Sequence, residues 1–145
     1  MKMMLLFLLA SSAVAFARIG ETAEQLEKRY GKPMRITAAG SFFEKDGISI
    51  QVVMWKDRCH LIYFSPAASE QDRAQHFGRN PRKLTKAQVQ SCLADNPVGV
   101  KWDGTEGTLS SSDDKYTALA TPNGVVIQTV AFLNHSPKGS APIGG

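Results

Sequence analysis

A chain of 145 residues, 43% hydrophobic and 21% charged, is long enough for one domain with its own core, which needs neither a metal nor many covalent staples. Its 17 basic and 13 acidic side chains leave a net charge of +4, an imbalance that favours solubility but is too small to mark a nucleic-acid binder. Only two cysteines are present, which excludes a disulfide-dense scaffold.

The N-terminus reads as an export signal. Lys2 precedes an apolar run from Met3 to about Leu9, and small residues then lead to Ala15-Phe16-Ala17, an A-x-A cleavage site ahead of Arg18. A spanning helix needs about 20 apolar residues, and this run is shorter and holds Ser11 and Ser12. A lipid-anchored product would carry a cysteine at the cleavage point, but the nearest is Cys59. Residues 1–17 are therefore expected to be a signal peptide, and the product periplasmic or extracellular. In such an oxidising compartment Cys59 and Cys92 are expected to form a disulfide, which stabilises by about 3–4 kcal/mol on the chain-entropy argument, with two buried free thiols as the alternative.

Thr22 followed by Gln25 is a capping box that predicts a helix with Ala23, Leu26 and Tyr30 on one face, stopped by Gly31 and Pro33. Strands are predicted over Ser41–Lys45 and Ile48–Trp55, joined by the hairpin dipeptide Asp46-Gly47. Ile48, Ile50, Val52 and Met54 share one face, and Ser49 and Gln51 the other. After a turn at Lys56-Asp57-Arg58, a third strand over Cys59–Phe64 puts Cys59, Leu61 and Tyr63 opposite His60, Ile62 and Phe64. Apolar residues on both faces predict a central position for it.

Residues 65–84 form a polar connection, with one short helix expected from Glu70 to Phe77 and stopped by Gly78. From Arg73 to Lys86 the chain carries Arg73, Arg79, Arg82, Lys83 and Lys86, together with His76, and no acid. Two readings stand: a solvated surface loop, or a docking site for an acidic partner, a phosphate-rich envelope polymer or an anionic lipid surface. Only Phe77 is interleaved, so the segment offers no stacking platform for single-stranded nucleic acid.

Thr85 and Gln88 form a second capping box, with Leu84 and Val89 placed as a hydrophobic staple. Ala87, Val89, Cys92 and Leu93 make the apolar stripe of that helix, which Asn96-Pro97 ends. Cys92 thus faces the sheet, where Cys59 is expected to meet it. Trp102 and a loop over Asp103–Lys115 lead to a second hairpin, Tyr116–Thr121 and Val125–Phe132, around Asn123-Gly124. The tail Asn134–Gly145, with two prolines and three glycines, is expected to be disordered, leaving one domain over 18–133.

The predicted fold is α+β, two helices packed on one face of a mostly antiparallel sheet. Each half reads as a capped helix followed by a hairpin, so an internal duplication is an open alternative. Chemistry is not legible. His60, His76 and His135 lack zinc-site spacing, and no nucleophile elbow, P-loop or dinucleotide fingerprint is present. Cys59 and His60 are adjacent strand residues on opposite faces, and Asp103, Glu106, Asp113 and Asp114 miss the calcium-loop pattern. No catalytic, metal or cofactor-binding residue is assigned and no cofactor is expected. The expected function is a non-enzymatic binding module. The alternatives are an envelope hydrolase-type enzyme with a spatially assembled site, and a binder of an anionic polymer or membrane surface through Arg73–Lys86.

Ile19-Gly20-Glu21-Thr22 followed by Arg29-Tyr30-Gly31-Lys32-Pro33 resembles the opening of a family of short, uncharacterised exported bacterial proteins. The resemblance continues through Asp46-Gly47, Ile48, Val52, Ile62-Tyr63, Leu84-Thr85, Leu93, Asn96, Trp102 and Ile127 to Thr129. These are caps, turns and core positions, so the resemblance implies an exported α+β domain and no known activity. The Arg-rich segment before Leu84 and the extended tail depart from it. A looser similarity, to outer-membrane assembly lipoproteins of the SmpA/OmlA type, rests on a Gly-x-Thr helix opening and a Gly-x-Pro end. Those proteins place two helices consecutively and carry a lipid-anchored cysteine, which this chain lacks.

Overall fold

The computed structural model describes residues 18–76, 79–97, 99–105 and 107–135. The expected signal peptide and the tail beyond His135 lie outside the described residues, as do Phe77, Gly78 and Glu106. The chain runs α1 (Ala23–Tyr30), β1 (Arg35–Thr37), β2 (Gly40–Lys45), β3 (Ile48–Trp55), β4 (Arg58–Pro66), α2 (Glu70–Gln75), α3 (Lys86–Ala94), β5 (Trp102–Thr105), β6 (Thr108–Ser111), β7 (Tyr116–Thr121), β8 (Gly124–Thr129) and α4 (Val130–His135). The fold is α+β, with one eight-stranded antiparallel sheet.

Local chemistry makes the elements. Thr22 and Thr85 each accept from the backbone N–H three residues on, while Gln25 and Gln88 accept from the cap backbone at 2.9 and 2.8 Å. A third such box, Ser69 with Asp72, opens α2. Asp46-Gly47 (φ 52° and 75°) and Lys56-Asp57 (φ 50° and 60°) both take the positive φ of the tight hairpin turn that suits strand twist.

The sheet order is β1-β2-β3-β4-β8-β7-β6-β5. Two four-stranded meanders thus meet along their last strands, β4 against β8, with Ile62 opposite Ile127. Across that seam Val52, Ile62, Ile127 and Ala118 form one buried ladder, and Phe43, Ile50, Phe64 and Val125 the next. Leu26 of α1, Leu84 just before α3 and Cys92 of α3 pack into the same core. The opposite face of the same strands carries Phe42, Gln51, Tyr63 and Val126 in register.

The structure corrects several expectations. Cys59 and Cys92 are both free thiols and stand too far apart to bond. Cys59 is held at the turn end of β4, where Gly20 N–H donates to its carbonyl and its N–H donates to the Glu21 carbonyl, each at 2.8 Å. Cys92 sits on α3, which lies against β8 instead. Burial pushes both thiols up, Cys92 to about 12. Nor does Cys59 share a face with Leu61 and Tyr63. Met54 pairs with Cys59 but Val53 with Leu61, so His60 is the extra residue of a bulge that turns Cys59 into the core beside Ile62 and Phe64.

Downstream, the expected loop over Asp103–Lys115 contains most of β5, an edge strand, and β6 beside it, short polar strands with no apolar alternation to announce them. The second hairpin turns one residue early, at Pro122-Asn123, because Thr121 pairs with Gly124. Proline's fixed negative φ suits the first central position of an ordinary type I or II turn, and neither Pro122 nor Asn123 has the positive φ of the primed turn expected at Asn123-Gly124. The last strand stops at Thr129, whose hydroxyl accepts from Phe132 N–H at 3.1 Å and starts α4. Asn134 and His135, expected in the tail, belong to that helix.

Candidate functional site

The outer face of β2, β3 and β4 is polar where it meets the segment after β4. Ser49 and Gln51 point away from the core, as do Tyr63 and Ser65. Over this face returns the basic connection, and its course is set by a few polar contacts. Asn80 donates from its side-chain amide to the Pro66 carbonyl and accepts from Arg82 N–H at 3.0 Å. Leu84 N–H donates to the Pro122 carbonyl at 2.7 Å, and the Lys83 ammonium donates to the Asn123 side chain. On the far side Gln51, nearly fully buried, donates to the Ala39 carbonyl at 2.8 Å and fixes the turn between β1 and β2.

Between these walls lies a groove of about 760 Å³. Arg35, Arg73, Arg79 and Arg82 line it, with Phe42 and Tyr63 among the sheet residues, and no carboxylate is among its lining residues. Arg35 lies over the Phe42 ring, 4.3 Å from its centroid. Arg82 pairs with Asp72 at 2.9 Å, and Asp72 is held below the usual carboxylate range, first by the Ser69 hydroxyl and backbone that it caps and less by Arg82. A second cavity of about 660 Å³, lined by Gln75, His76 and Pro81, shares Arg79 and Asn80 with the groove.

Three of the five basic residues singled out in the sequence therefore converge, Arg73, Arg79 and Arg82. Lys83 is engaged with Asn123, which lines the groove, and Lys86 opens α3 away from the groove lining. Arg73, Arg79 and Arg82 are all exposed and line the groove from the side of the connection. Arg35, Phe42 and Tyr63 are absent from the sequence expectation because they come from other strands. The one available signal was the run of polar alternates, Ser49, Gln51 and Ser65, on strands central enough to need cover on both faces.

His76 lines the adjoining cavity, whereas the other two histidines stay apart from this site. His60 and His135 flank Trp55 at 4.8 and 4.9 Å between ring centroids, with Phe132 completing the cluster that seats α4 at one end of the sheet. His60 Nδ1 lies 2.8 Å from Thr129 Oγ1. Its pKa is lowered, first by burial and then by Lys56. Asp113 is occupied locally: it accepts from the Ser111 hydroxyl at 2.7 Å, which holds it below the usual carboxylate range. Among the described residues no three His, Cys, Asp or Glu side chains stand together as a metal site. No protein-family model, curated protein or solved structure matches the chain.

Proposed function

We propose that this chain is an exported binding domain that captures an anionic ligand in the groove between the outer sheet face and the Arg73–Arg82 segment. The observation that carries the reading is the convergence of four arginines on a groove with no lining carboxylate. Arginine forks pair bidentately with carboxylates and phosphates, and like charges gathered in a concavity raise the local anion concentration. Ser49 and Ser65 have no histidine or carboxylate among the groove's lining residues to take a proton from them, which favours binding over acyl or phosphoryl transfer. Export rests on the composition of residues 1–17 alone.

The reading is tested with inorganic polyphosphate as a generic polyanion. Binding is expected at low ionic strength and falls as salt rises, and Arg73→Gln/Arg79→Gln weakens it about tenfold or more. Titration calorimetry with no binding, or with the double variant unchanged, would overturn it.

The finer architecture, two helices on one sheet face within an internal duplication, belongs to the same proposal. Its support is the palindromic strand order and the repetition of helix then meander in each half. Gly40 and Gly107 add to it. Gly40 opens the second strand of its meander and Gly107 stands just before that of the other, where a Cβ would lie 2.3 Å from the Val52 carbonyl oxygen or 2.6 Å from that of Ala120, each on the third strand.

A further inference from the structure

We infer that the ligand of the groove is an acidic saccharide chain, carrying carboxylates on its sugars, with one sugar ring stacked on Tyr63. This rests on the anion-binding reading above and specifies its chemistry. Tyr63 leans over Gly124 of the neighbouring strand: a Cβ at that glycine would stand 2.6 Å from Cε2 and 2.9 Å from the hydroxyl oxygen of the ring. Tyr63 thus reaches from β4 across Gly124 of β8, half-buried, and its ring lines the groove. A pyranose sets its C–H face, with partial positive charge, on such a π face and turns its hydroxyls outward. The hydroxyls of Ser49 and Ser65 and the amide of Asn123 line the same groove to receive them.

The alternatives fit less well. Single-stranded nucleic acid needs successive aromatic platforms, one per base. Here the Phe42 ring is covered by the Arg35 guanidinium, which leaves Tyr63 as the platform among the groove's lining residues. An inorganic polyanion uses the arginines but has no use for an aromatic ring or for amides. A carboxylated sugar uses all of them. The neighbouring cavity, joined through Arg79 and Asn80, extends the site in the way a chain of sugars requires.

The experiment compares hexagalacturonate, its methyl ester, inorganic polyphosphate and an oligothymidylate of matched length by titration calorimetry at low ionic strength. Hexagalacturonate is expected to bind, and its ester at least about tenfold more weakly, because the carboxylates are lost. Tyr63→Ser is expected to weaken hexagalacturonate about tenfold and polyphosphate less than about twofold, while Tyr63→Phe binds as the parent does. Thermal melts check that the variants fold. If Tyr63→Ser does not, ring-proton shifts of Tyr63 in the parent protein, moved by hexagalacturonate and not by polyphosphate, carry the same test. Unmoved ring protons, equal loss of both ligands in Tyr63→Ser, or tighter Tyr63-dependent binding of oligothymidylate overturns the saccharide. In those cases polyphosphate binding that depends on Arg73 and Arg79 still sustains the anion-binding reading. Binding of neither hexagalacturonate nor polyphosphate overturns both.

Discussion

Gly124 illustrates how one residue can carry two sequence meanings. After Asn123 it reads as a turn glycine, yet it is a paired residue of β8, and what it supplies is space. An added Cβ would meet Tyr63 Cε2 at 2.6 Å and the Phe64 carbonyl oxygen at 2.7 Å. The backbone oxygen cannot step aside as a flexible side chain can. Gly124→Ala is therefore expected to destabilise by about 1–3 kcal/mol, read as a lower urea midpoint with an unchanged slope. The cysteines make a second residue-scale prediction. Each thiol is neutral in the core and its pKa lies above the ordinary value of 9.0. Between the unfolded and folded pKa the native state holds more protons than the unfolded chain, so stability falls as pH rises there. The stabilisation is intact below about pH 9 and declines by about 1.4 kcal/mol per pH unit for each thiol above it. Denaturation series from pH 8 to 11 are expected to show a shallower decline in Cys92→Ala than in the parent, whatever the offset between them.

At the scale of elements, the capped helices α1 and α3 and the hairpin turns after β2 and β3 were legible because everything that makes them lies within a few residues. Thr85 and Gln88 satisfy each other's backbone N–H groups whatever the rest of the chain does. Thr85→Ala is accordingly expected to cost about 1 kcal/mol, measured by chemical denaturation, and Gln88→Ala added to it less than its separate effect. The elements that escaped are those whose partners are remote. β1 and β5 are edge strands of three and four residues, and neighbouring strands make them strands. The bulge at His60 is likewise a register event between β3 and β4, and it reverses the face assigned to Cys59. The expected disulfide fails for a different reason, the distance between the turn end of β4, where Cys59 sits, and α3 packed against β8.

The whole molecule is organised about the β4–β8 seam. Ile62 and Ile127, both fully buried, pair across it and join the two meanders into one sheet. Ile127→Ala is expected to cost about 2–5 kcal/mol, through lost burial plus the cavity left behind. Tryptophan fluorescence and circular dichroism are expected to shift together in that variant, because Trp55 and Trp102 report on opposite halves of a sheet with a shared core. Separate transitions for the two halves would contradict the shared core.

The groove also belongs to this scale, and it divides what the two sources of information decided. The sequence by itself determined the α+β class, the capped helices, the tight turns at 46–47 and 56–57, and the existence of a basic segment near residues 73–86. All of these depend on residue chemistry at short range. Only the tertiary structure decided that the segment folds over the polar face of β3 and β4, so that Arg79 shares a groove with Arg35 and Tyr63. It decided too that Cys59 and Cys92 remain separate thiols. Those outcomes are set by strand register and by contacts such as Asn80 to Pro66 and Leu84 to Pro122, which join residues 14 and 38 positions apart and leave no mark in any local pattern.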